Sequence, residues 1–567
     1  MPIYQAEVRL LRIRQDFSIN LLTFWYNTGP EHTSIIQDMR GEVMKYDVIV
    51  VGGGAAGSVL ASRLAEDPDT SVLLLEAGYD YPEFDTLPDE VKYGHTRYAE
   101  SPDSDHNWAL RGTITEEQGE IHVAQGKVIG GGSSINGQAM QRGLPDDFES
   151  WASLGNDEWS YTKVLPFFRK MENDSDIRDD FHGTDGPMPV RRRQSGPVPD
   201  IQKAFHSAIT SAGYPSVEDT NGANPSGIGV SPTNNLDGVR VSTALAYLNP
   251  MRHCLNLTVR GQVHVRKVLF EGKKAIGVEA ESGGEIFTVS ADRVVLSSGA
   301  IRSPQLLLLS GIGPKEQLDQ FGIAQIQESP GVGLNLMNHL SAQITFKVKD
   351  GIVLETDEDA AHFGLHYTSS GSEEKNDMVL RTTTVIDERE ERVAGVRTKY
   401  LTGDVPADRA ARISCTLGLP DGTGYVKLAS EEANVQPSFN YCYLQHPNDI
   451  RRVREGIRFG VKVLESDAYQ NVLDHRIQPT DEILNDDDAL DLWIRQTVGT
   501  ARHVSGTCKM GPDSDPMAVV DQYCQVKGVQ GLFIADASII PRIPRSGGIH
   551  PTVIMIGERV VEWIARK

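Results

Sequence analysis

Short apolar runs closed by glycine organise this chain. Tyr46–Val51 reads Tyr-Asp-Val-Ile-Val-Val, Val72–Leu75 reads Val-Leu-Leu-Leu, and Arg293–Leu296 reads Arg-Val-Val-Leu. Continuous apolar runs of this length predict strands buried on both faces, as in a parallel sheet covered by helices. The run to Ala65 after the first strand predicts a helix. Strand-like runs return at Leu257–Val259, Val265–Phe270 and Gly277–Glu279. From about residue 340 to 490, short β-like runs such as Gln343–Phe346 alternate with acidic loops, and Asp449–Leu464 has the spacing of an amphipathic helix. The polar stretch Asp176–Arg193 predicts a loop. There is no internal repeat and no low-complexity tract. Glycine-rich αβ segments come in three separated pieces, which predicts a discontinuous domain interrupted by a second one.

Between the first two strands stands Gly52-Gly53-Gly54-Ala55-Ala56-Gly57, and the second strand ends in Glu76. Strand, glycine turn, helix and acid-tipped strand make a dinucleotide-binding unit. Gly52 permits the tight turn, Gly54 lets backbone approach a pyrophosphate, and Gly57 lets helix and strand pack closely. The helix N-terminus faces the phosphates. Glu76 is placed to accept hydrogen bonds from a ribose hydroxyl. These residues alone fit either NAD or FAD. Glu76-Ala77-Gly78 after the second strand resembles flavoproteins, which hold FAD through its ADP half.

Four more small-residue clusters follow: Gly126–Asn136, Ser298–Gly313, Gly331–His339 and Gly531–Ser538. Runs such as Gly130-Gly131-Gly132-Ser133-Ser134 cannot fill a core. They suit backbone laid against a flat ligand to which it offers amide hydrogens.

Composition narrows the picture without naming a substrate. The net charge of −23 argues against nucleic acid and anionic membrane surfaces as main partners. No apolar run reaches the length of a membrane span. The cysteines, Cys254, Cys415, Cys442, Cys508 and Cys524, are scattered without a C-x-x-C pair, which fits a reducing compartment and predicts neither a structural zinc site nor a disulfide framework. Residues 1–44 lack the long apolar core and small-residue cleavage site of a signal peptide. They read as a surface extension, with Met44 an alternative start. A cytoplasmic location is expected.

Together these segments resemble the glucose–methanol–choline (GMC) oxidoreductases, over about residues 45–567, with the choline-dehydrogenase-like bacterial branch the nearest in pattern. Gly126–Asn136 and Gly299–Gly313 look like the family's two signatures. The resemblance implies an α/β (α+β overall) architecture. A Rossmann-like FAD-binding domain would be drawn from 45–175, 225–335 and 495–567, and a substrate domain with a mostly antiparallel sheet from 176–224 and 336–494. It implies non-covalent FAD held by Gly52, Gly54, Ala55, Ala56, Gly57, Glu76, Ala77, Gly126, Val128, Gly130, Gly131, Ser134, Asn136, Gly137, Val265, Gly299, Asp536, Ala537, Pro551 and Thr552. Val265 matches the valine that meets adenine through its backbone, and Asp536-Ala537-Ser538 the segment whose backbone contacts the flavin. For the Asp536 side chain, capping a helix is an equal expectation. Trp108 matches an aromatic ahead of the first signature. His122 lies one residue from the position where some relatives attach FAD covalently. Two departures stand out: Met140 where relatives often carry an aromatic residue, and Asn338 where the family's N-L-x-D-H has aspartate.

Catalysis is expected from the C-terminal block. His503, in Arg502-His503-Val504-Ser505-Gly506-Thr507, resembles the family's H-x-x-G-T segment, whose histidine abstracts the alcohol proton. His550 falls where relatives carry His or Asn. Hydride leaves a carbinol only as its oxygen loses a proton, so a base near neutral pKa is needed, with a second polar group to orient the alkoxide. The expected reaction is oxidation of a small-molecule alcohol to an aldehyde or ketone with hydride transfer to flavin N5. Oxygen, a quinone or a carrier would then take the electrons, and no metal is expected. Lyases, photodecarboxylases and non-catalytic flavin binders built on this fold are the alternatives.

Overall fold

The computed structural model describes residues 34–35, 45–94, 98–192, 198–354, 362–383, 405–545 and 548–565. The apolar runs form the middle of an eight-stranded sheet in the order Leu257–Arg260, Val72–Leu75, Lys45–Val51, Glu285–Leu296, Lys274–Ser282 and His264–Glu271, with Ser34–Ile35 and Leu532–Ile534 also pairing to Glu285–Leu296. The first four strands run parallel, with Val48 opposite Val72 and Ile49 opposite Val294. Val48, Ile49 and Val50 are fully buried, as continuous apolar strands require. The long strand Glu285–Leu296 pairs in both senses. Its first half pairs antiparallel with Lys274–Ser282, and Val294–Leu296 pair parallel with Leu532–Ile534. The C-terminal block thereby returns to the first αβ unit.

Helix Ala55–Leu64 covers this sheet, and the C-terminal helix His550–Ile564 packs on it. At the crossing, a Cβ added to Gly557 would lie 3.1 Å from the Ala56 carbonyl oxygen. Beside it, the buried Glu558 carboxylate accepts from Arg63 at 2.8 Å, from Lys170 at 2.8 Å and from the Tyr247 hydroxyl at 2.9 Å. Three donors satisfy one buried charge, as burial demands.

The second large sheet is antiparallel throughout: Leu473–Gln478, Leu340–Val348, Ala410–Leu417, Met378–Thr383, Phe363–Tyr367 and Gly227–Val230, with Gly499–Thr500 on Leu340–Val348. The boundaries expected at 225 and 495 fall just before Gly227–Val230 and Gly499–Thr500, which join this sheet rather than the first. Its strands alternate. Ile344, Ile413 and Cys415 face helix Pro447–Leu464, where a Cβ on Gly456 would meet Cys415 Sγ at 2.2 Å and one on Gly460 would meet Ile344 at 2.5 Å. Ser341, Arg381, Thr383, Ser414 and Thr416 face the other way, toward the first domain.

Asp176–Arg193 is not all loop. Met188–Val190 forms a strand parallel to Glu172–Asp174. Met188 and Val190 are fully buried, and Gly183 and Gly186 let the chain press on the Arg169–Glu172 backbone, with added Cβ atoms only 1.8 and 2.4 Å away. The amphipathic helix expected at Asp449–Leu464 begins two residues earlier, at Pro447, a proline in the first turn where its missing N–H costs nothing.

Candidate active site

A cavity of about 510 Å³ runs from the fingerprint loop to the polar face of the second sheet; its size is that of a ligand pocket. At one end, Gly52 adopts φ +99°, and a Cβ there would sit 2.6 Å from the Ser297 carbonyl oxygen. Helix Ala55–Leu64 starts without a side-chain cap, so its first N–H groups are left to a ligand. A Cβ on Gly54 would meet only the Ser297 carbonyl oxygen, at 3.7 Å, and those on Gly132 and Gly299 would meet nothing within 4 Å. These glycines leave open the volume that a side chain would fill. Glu76 stands at the wall. Its Oε2 accepts from the Gly53 N–H and its Oε1 from the Gly78 N–H, both at 2.8 Å. Burial pushes its pKa up to about 7, against these hydrogen bonds and the charge of Lys127.

The second glycine cluster is clasped to the first. The Gly130 N–H donates to the Gly53 carbonyl at 2.6 Å, and Gly131 lies so close to Gly54 that a Cβ would approach its Cα at 2.6 Å. Asn136 accepts from the Gln138 N–H at 2.9 Å, which fixes the turn after the cluster. Asp536 uses both oxygens as a cap. One accepts from the Gly299 N–H at 2.8 Å and the Ser303 hydroxyl at 2.5 Å, the other from the Ser538 N–H at 2.8 Å and its hydroxyl at 2.6 Å. Its side chain therefore holds helix Gly299–Leu309 in place.

Of the expected cofactor residues, Gly52, Gly54, Ala55, Ala56, Glu76, Ala77, Gly126, Gly131, Asn136, Gly137, Val265, Gly299, Asp536 and Ala537 line the cavity. Gly57, Val128, Gly130, Ser134, Pro551 and Thr552 are buried behind that lining. Gly57 packs on the loop, since a Cβ would lie 1.9 Å from the Gly52 carbonyl oxygen, and the Ser134 hydroxyl donates to the Ile129 carbonyl at 2.8 Å. Trp108 also faces the cavity, with the Arg302 guanidinium 4.1 Å from its ring centroid.

At the far end His503 and His550 line the same cavity. His503 follows strand Gly499–Thr500. Its backbone N–H donates to Asn338 Oδ1 at 2.7 Å, and its Nδ1 lies 2.8 Å from Nδ1 of His339. His339 Nε2 lies 2.9 Å from the Pro544 carbonyl oxygen. Burial holds the pKa of His503 well below 6.5, with His339, Arg502 and Arg381 adding to the effect; burial also lowers His339 and His550, each to about 4. His550 opens the C-terminal helix, and its Nε2 is buried with no hydrogen-bond partner among the described residues. No hydrogen bond joins His503 to His550 among those residues. Asn338, the departure from the family pattern, also donates to the Thr500 hydroxyl at 2.6 Å, so an amide serves there both as acceptor and as donor, which a carboxylate could not.

His339 was present in the sequence only as the end of a motif. The polar face of the second sheet carries a stronger signal, since Ser341, Gln343 and Thr345 alternate with Ala342, Ile344 and Phe346.

A glycine cradle for a dinucleotide that opens onto buried histidines has the makings of a dinucleotide-dependent oxidoreductase. The sequence matches the GMC oxidoreductase family in its N-terminal part over residues 46–341 and in its C-terminal part over residues 420–557. The chain belongs to the GMC oxidoreductase family: it is an FAD-dependent enzyme acting on CH–OH groups. It is 35% identical over 514 residues to an uncharacterized GMC-type oxidoreductase of Rhodococcus erythropolis, covering 90% of this chain and 97% of that one. It is also 35% identical over 543 residues to the oxygen-dependent choline dehydrogenase of Photobacterium profundum, covering 92% and 93%. Among solved structures, pyridoxine 4-oxidase from Mesorbium loti superposes with a TM-score of 0.82 at 30% identity, covering 91% of this chain and 98% of that one.

Proposed function

We propose that this enzyme oxidises an alcohol to an aldehyde or ketone, with His503 as the general base. The observation that carries the reading is the position of His503, a buried neutral imidazole on the wall shared by the Gly299 and Asp536–Ala537 cradle and the second sheet. A neutral ring can take the hydroxyl proton, and the sealed surroundings strengthen its interaction with the alkoxide that forms. His550, on the same wall, would orient that oxygen. FAD, when bound, supplies the acceptor for the hydride. The first sheet and its helices would hold it, with the pyrophosphate at Gly54 and the ribose at Glu76, and the second sheet would shape the substrate chamber.

FAD is held without a covalent bond in this reading. His122 is not on the cavity wall, and its Nε2 is engaged by Asn107 at 3.2 Å and by the Glu100 carbonyl at 3.3 Å. The electron acceptor we favour is oxygen, as the names of the choline dehydrogenase and pyridoxine oxidase relatives suggest. The second sheet presents hydroxyl groups and the Arg381 guanidinium, so the test panel spans neutral, anionic and cationic alcohols, choline and pyridoxine included. The test is anaerobic mixing in the dark, followed by air. Bleaching of the flavin by one of these alcohols, recovery of colour in air and formation of the carbonyl product are expected. A flavin that stays oxidised with every alcohol would overturn the reading.

A further inference from the structure

Three groups in line decide which nitrogen of His503 carries its proton. The Pro544 carbonyl oxygen can only accept, so His339 Nε2, at 2.9 Å, must be the donor of that bond. A neutral imidazole carries one proton. With Nε2 protonated, Nδ1 of His339 holds a lone pair. That lone pair lies 2.8 Å from Nδ1 of His503, so His503 Nδ1 must donate. The proton of neutral His503 is then spent on Nδ1, and Nε2, the ring nitrogen not turned to His339, is left with its lone pair on a residue that lines the cavity.

We infer that His339 is a positioning residue: it locks His503 in the Nδ1-protonated tautomer and so leaves Nε2 unprotonated to receive the substrate's proton. In the other tautomer Nε2 would carry a hydrogen and could accept nothing. A histidine ring free of partners samples both, and the hydrogen bond made by one nitrogen sets the state of the other.

The surroundings keep the relay neutral. His339 is fully buried. The Pro544 and Gly418 carbonyls face its ring and favour a protonated nitrogen, whereas Arg381 opposes charge on it. Toward His503 the charged neighbours are Arg502 and Arg381, both cations, and Arg502 is paired with Glu100. Asn338 binds the His503 backbone, and the Tyr443 hydroxyl donates to the His339 carbonyl at 3.4 Å; neither carries charge. Charging His339 would place a proton on its Nδ1, reverse the bond to His503 and put the His503 proton on Nε2. Protonating the remote ring would therefore switch off the base even while His503 stays neutral.

The inference rests on His503 being the base, so its test separates the two. In the FAD-loaded wild type with ¹⁵N-labelled histidine, the resonances that disappear in His503→Gln should show a protonated Nδ1 and an unprotonated Nε2 at neutral pH. A protonated Nε2 would refute the relay, whatever the enzyme's activity. Kinetics then test its use. His339→Leu removes the acceptor, and flavin reduction should slow at least about ten-fold at unchanged flavin content and with little change in KM. His339→Gln, whose amide can accept at one end and donate at the other, should recover most of the rate. Equal rates in His339→Leu and wild type would overturn the inference, as would a fully flavinated His339→Gln as slow as the leucine variant. Should His339→Leu fail to fold, the wild-type resonances still decide. The expected tautomer in a protein that oxidises no alcohol would count against the proposed reaction alone.

Discussion

The Glu76 carboxylate accepts a hydrogen bond from the Gly53 N–H at 2.8 Å. This bond ties the tip of the second strand to the glycine turn after the first, and the other oxygen holds Gly78. The acid thus shapes the loop as well as facing the cavity. In Glu76→Gln the amide nitrogen would confront one of these two N–H donors. FAD retention should therefore weaken by about 1–3 kcal/mol, the worth of a charge-assisted hydrogen bond and the penalty for an unmet donor. Titration of the apoprotein with FAD measures it, and an unchanged affinity would show that the carboxylate contributes nothing to the ribose site.

Gly54→Val should leave a folded protein that no longer binds FAD. Chain neighbours aside, no atom of the described residues comes closer than 3.7 Å to a Cβ at Gly54, so the branched side chain would fill the space assigned to the ligand. Gly57→Val, whose Cβ would lie 1.9 Å from the Gly52 carbonyl oxygen, should instead disrupt the unit itself. Thermal unfolding and flavin content of the two variants separate the cases; a flavin-replete Gly54→Val protein would place the pyrophosphate elsewhere.

His503→Ala should stay yellow and reduce its flavin at least about 10²-fold more slowly, and His550→Ala should lose less. The pH profile departs from the expectation of a near-neutral base. Burial lowers the pKa of His503 well below 6.5, and in the proposed mechanism the neutral form is the active one. Flavin reduction should thus be level from neutral pH upward and fall only in acid, below 6.5, and that acid limb should vanish in His503→Ala. A wild-type inflection above pH 7 in stopped-flow reduction would contradict this.

A buried charge cluster is expected to set the alkaline limit of stability. His182 contacts Glu172 at 3.1 Å, Asp174 at 3.1 Å and Asp219 at 3.0 Å, and Arg192 reaches Asp174 at 2.6 Å and Asp219 at 2.8 Å, while Arg142 pairs with Glu172. Three carboxylates meet three cations, so the carboxylates beside His182 are already compensated without a metal. These bonds outweigh burial and raise the pKa of His182 to about 10. A raised pKa means stability that is fully present below 6.5 and is lost as pH rises toward 10. The melting temperature should fall across that window, and His182→Gln should flatten the fall while destabilising the protein by about 3–5 kcal/mol at neutral pH. A melting temperature independent of pH between 7 and 10 would remove the argument.

The parallel core and the cradle were legible because their residues have few alternatives. Val48–Val51 can only be a buried strand, and Gly52 takes a φ that other residues resist. Residues that act through space were hidden. Nothing in sequence marks His339 as the neighbour of His503, 164 positions away, and Asp536 reads equally as ligand or cap until its four donors are seen. The six expected cofactor residues behind the lining share one cause: a motif specifies a tight turn as a whole, and only some of its members face outward.

Strand Leu532–Ile534 and Asp536 close the cradle from the far end of the chain. A polypeptide still emerging from the ribosome has the fingerprint loop and the second glycine cluster, to which the ADP half of FAD is assigned, yet lacks the wall that carries His503, His550 and Ala537. FAD captured at that stage would be held by its ADP half only, with the isoalloxazine exposed. In the proposed placement the coenzyme's reactive end would thus become enclosed only once the C-terminal block is made, and the order of translation itself would keep a half-built enzyme from reducing its flavin in the open. A chain ending near residue 500 should accordingly fail to retain the yellow cofactor through gel filtration.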